Sequence, residues 1–253
     1  MSNNGKRVAW VTGGGTGIGE SAAEHLAKDG WIVVVSGRRQ QELDRVVGNI
    51  TKNGGKAEAI PLDVSDKASV NAAAEAIVAK HGRIDCLVNS AGINVPKRSW
   101  ADMELEGWDK LVEINLNGVL YCMRAVLPTM RKQKDGVIIN VASWAGRHVS
   151  KMPGPAYTTT KHAVLALTHS FNMDECVNGL RACCFSPGEV ATPILKLRPV
   201  VPSEAEQAKM LQPEDCGRTI AFVAGMPPRV CINEILISPT HNRGFIQTPA
   251  NRD

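Results

Sequence analysis

Apolar residues along this chain follow two rhythms. Short runs that are apolar at nearly every position, VAWVT (8–12), WIVVVS (31–36), AEAIPLD (57–63), DCLVN (85–89), GVIINVAS (136–143), LRACCFS (180–186) and NEILIS (233–238), alternate with longer segments of helical spacing. Those segments are 17–29, 40–53, 66–80, 108–133, 156–176 and 214–225. A strand that is apolar on both sides needs cover on both faces, which a parallel sheet between two helix layers supplies. The alternation predicts an α/β fold: a doubly wound, about seven-stranded parallel sheet with helices on both faces, in one domain spanning 1–253. No linker or internal repeat interrupts it. Two connections are long, 90–107 and 187–213, and each follows a strand. They belong at the carboxyl edge of the sheet, where such folds bind ligands. The 187–213 segment reads as a loop covering the substrate, and polar 240–253 as a flexible tail or arm.

The turn after the first strand is TGGGTGIG (12–19) and runs directly into the first helix. Glycines there let the backbone turn tightly and approach a pyrophosphate, which rests on the amides of the helix N-terminus. Gly13, Gly15, Thr16, Gly17, Ile18 and Gly19 are therefore candidate contacts of a dinucleotide in a Rossmann fold. The end of the second strand discriminates between dinucleotides. An acid there would bond the ribose 2′-hydroxyl of NAD(H), whereas this chain has Gly37 followed by Arg38 and Arg39. Two guanidiniums and no carboxylate suit the 2′-phosphate of NADP(H); a solvated charge pair opening a helix is the plain alternative.

Composition narrows the classes further. The chain has 253 residues, 43% hydrophobic and 21% charged, with a net charge of +4 that no basic block concentrates, so a nucleic-acid partner gains no support. Seven cysteines, odd in number and without a CxxC or Cys/His cluster, suit a reducing cytoplasmic compartment and offer no metal site. The pair Cys183 and Cys184 lies in an apolar strand and reads as packing. MSNNGKR leads directly into the first strand, leaving no room for a signal segment, and no apolar run approaches a membrane span. A cytoplasmic protein with no membrane partner is expected.

Tyr157 and Lys161 stand four positions apart on the 156–176 helix and so share a face. A phenol with an ordinary pKa of about 10 donates poorly at neutral pH, and a nearby ammonium stabilises its phenolate. The pair by itself is equally compatible with a surface contact.

The ordered set TGGGTGIG, LDV (62–64), NSAG (89–92), NLNG (115–118) and Ser143 followed by YTTTK (157–161) resembles the short-chain dehydrogenase/reductase family over about residues 6 to 240. The resemblance implies an oxidoreductase acting on a small carbonyl or alcohol and assembled as a homo-oligomer, a tetramer or dimer, through the 108–133 and 156–176 helices. It implies that Tyr157 is the proton donor or acceptor, that Lys161 lowers the tyrosine pKa and holds the nicotinamide ribose, that Ser143 orients the substrate oxygen and that Asn115 supports a water. It places Asp63, Val64, Asn89, Ala91 and Gly92 near the adenosine, and Pro187, Gly188, Val190 and Thr192 of SPGEVATP beside the nicotinamide. Asp63 has a plainer reading as a helix N-cap, and Ser143 as a strand-end cap.

Beyond the shared motifs, PPRVCIN (227–233) resembles the last-strand pattern of NADP-dependent 3-hydroxy acid dehydrogenases, while the glycine-rich segment that follows in many relatives is replaced by SPTHNR. Trp144, Arg147, His148, Glu189 and Ile194 are the candidate substrate residues. Arg147 or His148, just past Ser143, is placed to pair with a substrate carboxylate, with solvated surface charge the favoured plain alternative. Glu189 is a carboxylate at the nicotinamide end, where it would favour the cationic oxidised cofactor.

Overall fold

A computed structural model describes residues 6–198, 200–243 and 245. Seven strands form one parallel sheet in the order β3-β2-β1-β4-β5-β6-β7. They are β1 (Val8–Thr12), β2 (Ile32–Gly37), β3 (Lys56–Pro61), β4 (Cys86–Asn89), β5 (Gly136–Val141), β6 (Leu180–Pro187) and β7 (Glu234–Ile237).

Period-two alternation along the strands builds two cores, one on each face. Ala9, Val11, Val33, Val35, Val137, Ile139 and Phe185 point to one face, where α1 (Gly17–Lys28), α2 (Gln40–Lys52) and α8 (Pro213–Ala224) cover them. Their neighbours Val8, Trp10, Val34, Leu87, Ile138 and Cys184 point to the other. There α3 (Lys67–His81), α5 (Gly118–Gln133) and α6 (Pro155–Glu175) cover them. Trp10 is fully buried, and its indole N–H is satisfied at 2.9 Å by the Ser36 hydroxyl. Cys183 and Cys184 face opposite cores, and burial pushes the Cys183 thiol up to about 12, which fits the packing reading.

The sequence pattern predicts one uninterrupted helix over 108–133. The structure starts it earlier, as α4 (Leu105–Val112), inserts a π-helical turn (Glu113–Asn117) and continues as α5. A π turn adds a residue without changing the apolar period around it, so periodicity passes over it. The 187–213 connection is also more ordered than a bare loop. It holds a 3₁₀ turn (Pro193–Leu197) and α7 (Glu204–Gln207), and Val190 bridges to Leu211.

All strands being parallel, their carboxyl ends lie at one edge. The chain leaves β1 toward β2 on one side, while β4 pairs with β1 on the other, so the strand order reverses there. The cavity opens at this reversal.

Candidate active site

A cavity of about 860 Å³ runs along the carboxyl edge, from the turn after β1 to the 187–213 connection. It lies near the upper end of the range for small-molecule sites.

The turn after β1 fits its position through glycine. Gly13 has φ +66°, and a Cβ on it would stand 2.7 Å from the amide nitrogen of Ala91. The turn is thus pressed onto the NSAG segment, and Gly19 closes in behind, where a Cβ would meet the Gly13 carbonyl at 2.3 Å. Gly15, Thr16, Gly17 and Ile18 line the cavity at the start of α1, and Gly19 does not. Arg38 and Arg39 line the same end, with Arg39 3.8 Å from Glu42. Asp63 accepts from the Ser65 amide and hydroxyl at 3.0 and 2.7 Å, whereas the N-cap of α3 is Asp66. Burial raises the Asp63 pKa, but those bonds and nearby Arg38 outweigh it and hold the carboxyl below its ordinary value.

At the other end, α6 brings up Tyr157 and Lys161. Its first turn starts at Gly154 (φ +81°) and Pro155, and its middle is pinned to the sheet by a buried ladder. Asn89 Nδ2 donates to Asn140 Oδ1 at 2.9 Å, and Asn140 Nδ2 to Thr168 Oγ1 at 3.0 Å. Ser143 caps the 3₁₀ turn Trp144–Gly146, accepting from the Ala145 amide at 3.2 Å. Burial raises the Tyr157 pKa, and the Ser143 hydroxyl and the Arg198 charge pull against it, leaving the phenol above its ordinary value. Lys161 is 4% exposed, and burial brings its pKa down to about 8. Its Nζ donates to the Val141 carbonyl at 2.8 Å and stands 5.5 Å from the Tyr157 ring centroid. Asn115 is fully buried: Oδ1 accepts from the Ile93 amide at 2.8 Å and Nδ2 donates to the Ile93 carbonyl at 2.9 Å.

The sequence model for short chain dehydrogenases matches residues 7–199. This protein belongs to the short-chain dehydrogenase family. It is 32% identical over 233 residues to an uncharacterized oxidoreductase of Staphylococcus aureus, covering 92% of this chain and 97% of that one. An alcohol dehydrogenase of the archaeon Thermococcus sibiricus, solved with 5-hydroxy-NADP, superposes with a TM-score of 0.84 at 25% identity, over 94% of this chain and 98% of that one. A closed form of serine dehydrogenase complexed with NADP+ superposes with a TM-score of 0.85 at 27% identity, over 97% and 100% of the two chains.

Of the residues singled out from sequence, this dehydrogenase brings Gly13, Gly15, Thr16, Gly17, Ile18, Arg38, Arg39, Asp63, Val64, Ala91, Gly92, Ser143, Trp144, His148, Tyr157, Lys161, Pro187, Gly188, Glu189, Val190, Thr192 and Ile194 onto the cavity wall. Gly19, Asn89, Asn115 and Arg147 lie outside the lining. Asn89 is held in the buried ladder, so it supports the central strands from behind. Arg147 is the clear correction: it pairs with Glu234, its Nε 2.7 Å from Oε1, instead of lining the cavity.

Two further expectations change. Burial holds the Tyr157 phenol above its ordinary value even with the Lys161 ammonium 5.5 Å from its ring centroid, and Lys161 Nζ is itself bonded to the Val141 carbonyl. The Glu189 carboxylate is not free to act on a nicotinamide, since Arg198 at 2.7 Å and Arg243 at 2.6 and 2.8 Å hold it and keep its pKa below the ordinary value despite burial.

The residues missed from sequence come from chain segments without a motif. Phe245 packs edge-on against Trp144 with centroids 5.5 Å apart, and Trp144 stacks on His148 at 4.3 Å. Asn242 and Phe245 thus line the cavity from the expected 240–253 tail, whose remainder lies largely outside the described residues. Arg98 lines the cavity from the 90–107 connection, with only the length of that post-strand loop as a signal.

Proposed function

We propose that this dehydrogenase is NADP(H)-dependent and interconverts a secondary alcohol with a ketone or aldehyde, with Tyr157 as general acid and base. The observation that carries the reading is the convergence of Ser143, Tyr157 and Lys161 on the wall of the cavity whose other end is the glycine turn.

The residues fit a dinucleotide. The Gly13 turn has space only for glycine, and α1 begins inside it, a cradle for a pyrophosphate. Lys161 has three donors, and Val141 takes one, leaving capacity for ribose hydroxyls. Arg38 and Arg39, with glycine at the end of β2, favour a 2′-phosphate. The solved relatives with NADP+ or 5-hydroxy-NADP support the same choice. When bound, the reduced nicotinamide supplies the hydride that adds to the carbonyl carbon.

The chain's own residues handle the oxygen. As the carbonyl oxygen gains charge, the Ser143 hydroxyl donates to it and Tyr157 Oη transfers its proton, giving the alcohol and a phenolate. Burial keeps Tyr157 in its phenol form through neutral pH, the form needed for reduction. In the reverse direction the phenolate takes the proton back. Asn115 acts behind this site: both ends of its side chain grip Ile93, so any water it holds rests on its backbone at the π turn. The 187–213 connection is read as the substrate cover. A homo-oligomer, dimer or tetramer, is supported by Leu120 of α5 and Met173 of α6, both exposed apolar side chains; sedimentation at several concentrations tests it, and a strict monomer contradicts it.

The test is NADPH consumption with a panel of ketones and aldehydes, run beside Tyr157→Phe. The variant is expected to bind NADPH as the wild type does, by fluorescence titration, and to lose at least about 100-fold in kcat. Full turnover by the variant would overturn the assignment.

A further inference from the structure

Arg98 is an anomaly in charge accounting. It is 8% exposed and lines the cavity, and among the described residues no carboxylate pairs with it. Its Nη2 donates to the Leu197 carbonyl at 2.8 Å, and its Nε is buried with no hydrogen-bond partner. A guanidinium carries five donors, and burying it without a matching anion is costly. Three neighbouring cations are matched. Arg198 and Arg243 share Glu189, Arg243 also reaches Glu206 at 3.2 Å, and Lys97 pairs with Glu104. Asp102, the nearest acid in sequence, accepts instead from the Ser99 amide and hydroxyl at 2.6 and 2.5 Å.

Its position is also fixed. A Cβ on Gly154 would stand 2.3 Å from the Arg98 carbonyl, so the Arg98 backbone abuts the start of the helix that carries Tyr157. Asn94 ties the same loop to Pro153, donating to its carbonyl at 3.0 Å. Arg98, Tyr157 and Arg198 all line this one cavity.

We propose that Arg98 is the specificity residue of this enzyme and that its carbonyl substrate carries a carboxylate, which the Arg98 guanidinium binds. The proposal rests on the hydride-transfer reading of the same site. A carboxylate accepts two parallel N–H bonds from a guanidinium, and it supplies the negative charge that Arg98 has no partner for. The Leu197 contact then has a second use: it steadies the guanidinium from the loop side, leaving the remaining donors to the substrate.

The experiment compares the wild type with Arg98→Met, which keeps the apolar stem, and Arg98→Lys, which keeps the charge. Each is assayed with keto acids and their methyl esters, and each is melted as its NADP+ complex with and without the corresponding hydroxy acid. Arg98→Met is expected to reduce the acid-over-ester ratio of kcat/KM by at least about 30-fold, mostly through KM, with Arg98→Lys in between. The hydroxy acid is expected to raise the Tm of the wild-type complex and not that of Arg98→Met. Equal losses on acid and ester would make Arg98 a structural prop and overturn the proposal, as would an unchanged ratio. If the wild type reduces no carbonyl, the reaction class fails, while the Tm response to the carboxylate still decides the role of Arg98.

Discussion

Lys161 should make the ligand-free protein less stable than it needs to be. Replacing it with methionine keeps the length of the side chain and removes a charge that folding takes almost wholly out of water. Its pKa is about 8 in the folded chain against 10.5 when solvated, and at about 1.4 kcal/mol per pH unit the buried ammonium costs about 3 kcal/mol. The sign follows from proton counting. Below about pH 8 both states hold the proton and the whole cost is present; between 8 and 10.5 the folded state releases it first, and the cost fades; above 10.5 it is gone. Wild-type stability relative to Lys161→Met should therefore climb by about 3 kcal/mol across that window. Losing the bond to the Val141 carbonyl offsets the variant by a constant, so the change with pH, not the absolute gap, carries the test. Denaturant unfolding of both proteins at a series of pH values measures it. Parallel curves between pH 8 and 10.5 would refute the reasoning, because the ammonium would then be no less solvated when folded. The variant should also be inactive, an instance of stability given up for function.

Three other outcomes are expected. Arg147→Ala should leave the acid-over-ester preference intact, since that side chain pairs with Glu234; a collapse of the preference would return Arg147 to the substrate site. Gly13→Ala forces a side chain into φ +66° and onto Ala91, so a loss of about 1–3 kcal/mol in thermal or denaturant unfolding, with weakened NADPH binding, is expected. Arg38→Ala with Arg39→Ala should weaken NADPH by about 10- to 100-fold in fluorescence titration and change NADH little; equal losses would mean that the arginines do not read the 2′-phosphate.

Much of the scaffold was legible because burial imposes its period on the sequence. Strands buried on both faces cannot alternate in polarity, and so the seven runs stood out against amphipathic helices such as α2 and α8. The glycine turn was legible for a different reason: close backbone approach at Gly13 excludes any side chain, and only glycine satisfies it. Helical spacing put Tyr157 and Lys161 on one face, but only the ordered motifs around them distinguished the pair from a surface contact. What stayed hidden depends on side-chain direction and distant partners. Lys97 and Arg98 are adjacent and chemically alike, yet one is paired on the surface and the other buried in the cavity, which nothing local to the loop decides. Arg147 looked suited to the substrate because it follows Ser143, but its partner Glu234 is 87 positions away. Asn115 was found by its motif, whereas the π turn that holds it carries no periodic signature.

The most direct test of the central claim follows the hydride itself. NADPH deuterated at C4 of the nicotinamide is incubated with the wild-type enzyme and a keto acid, and the product is examined by mass spectrometry and NMR. The account predicts deuterium on the carbinol carbon, with label transfer abolished in Tyr157→Phe. Product free of deuterium, or a labelled cofactor that binds and is never consumed by ketone, aldehyde or keto acid, would contradict it.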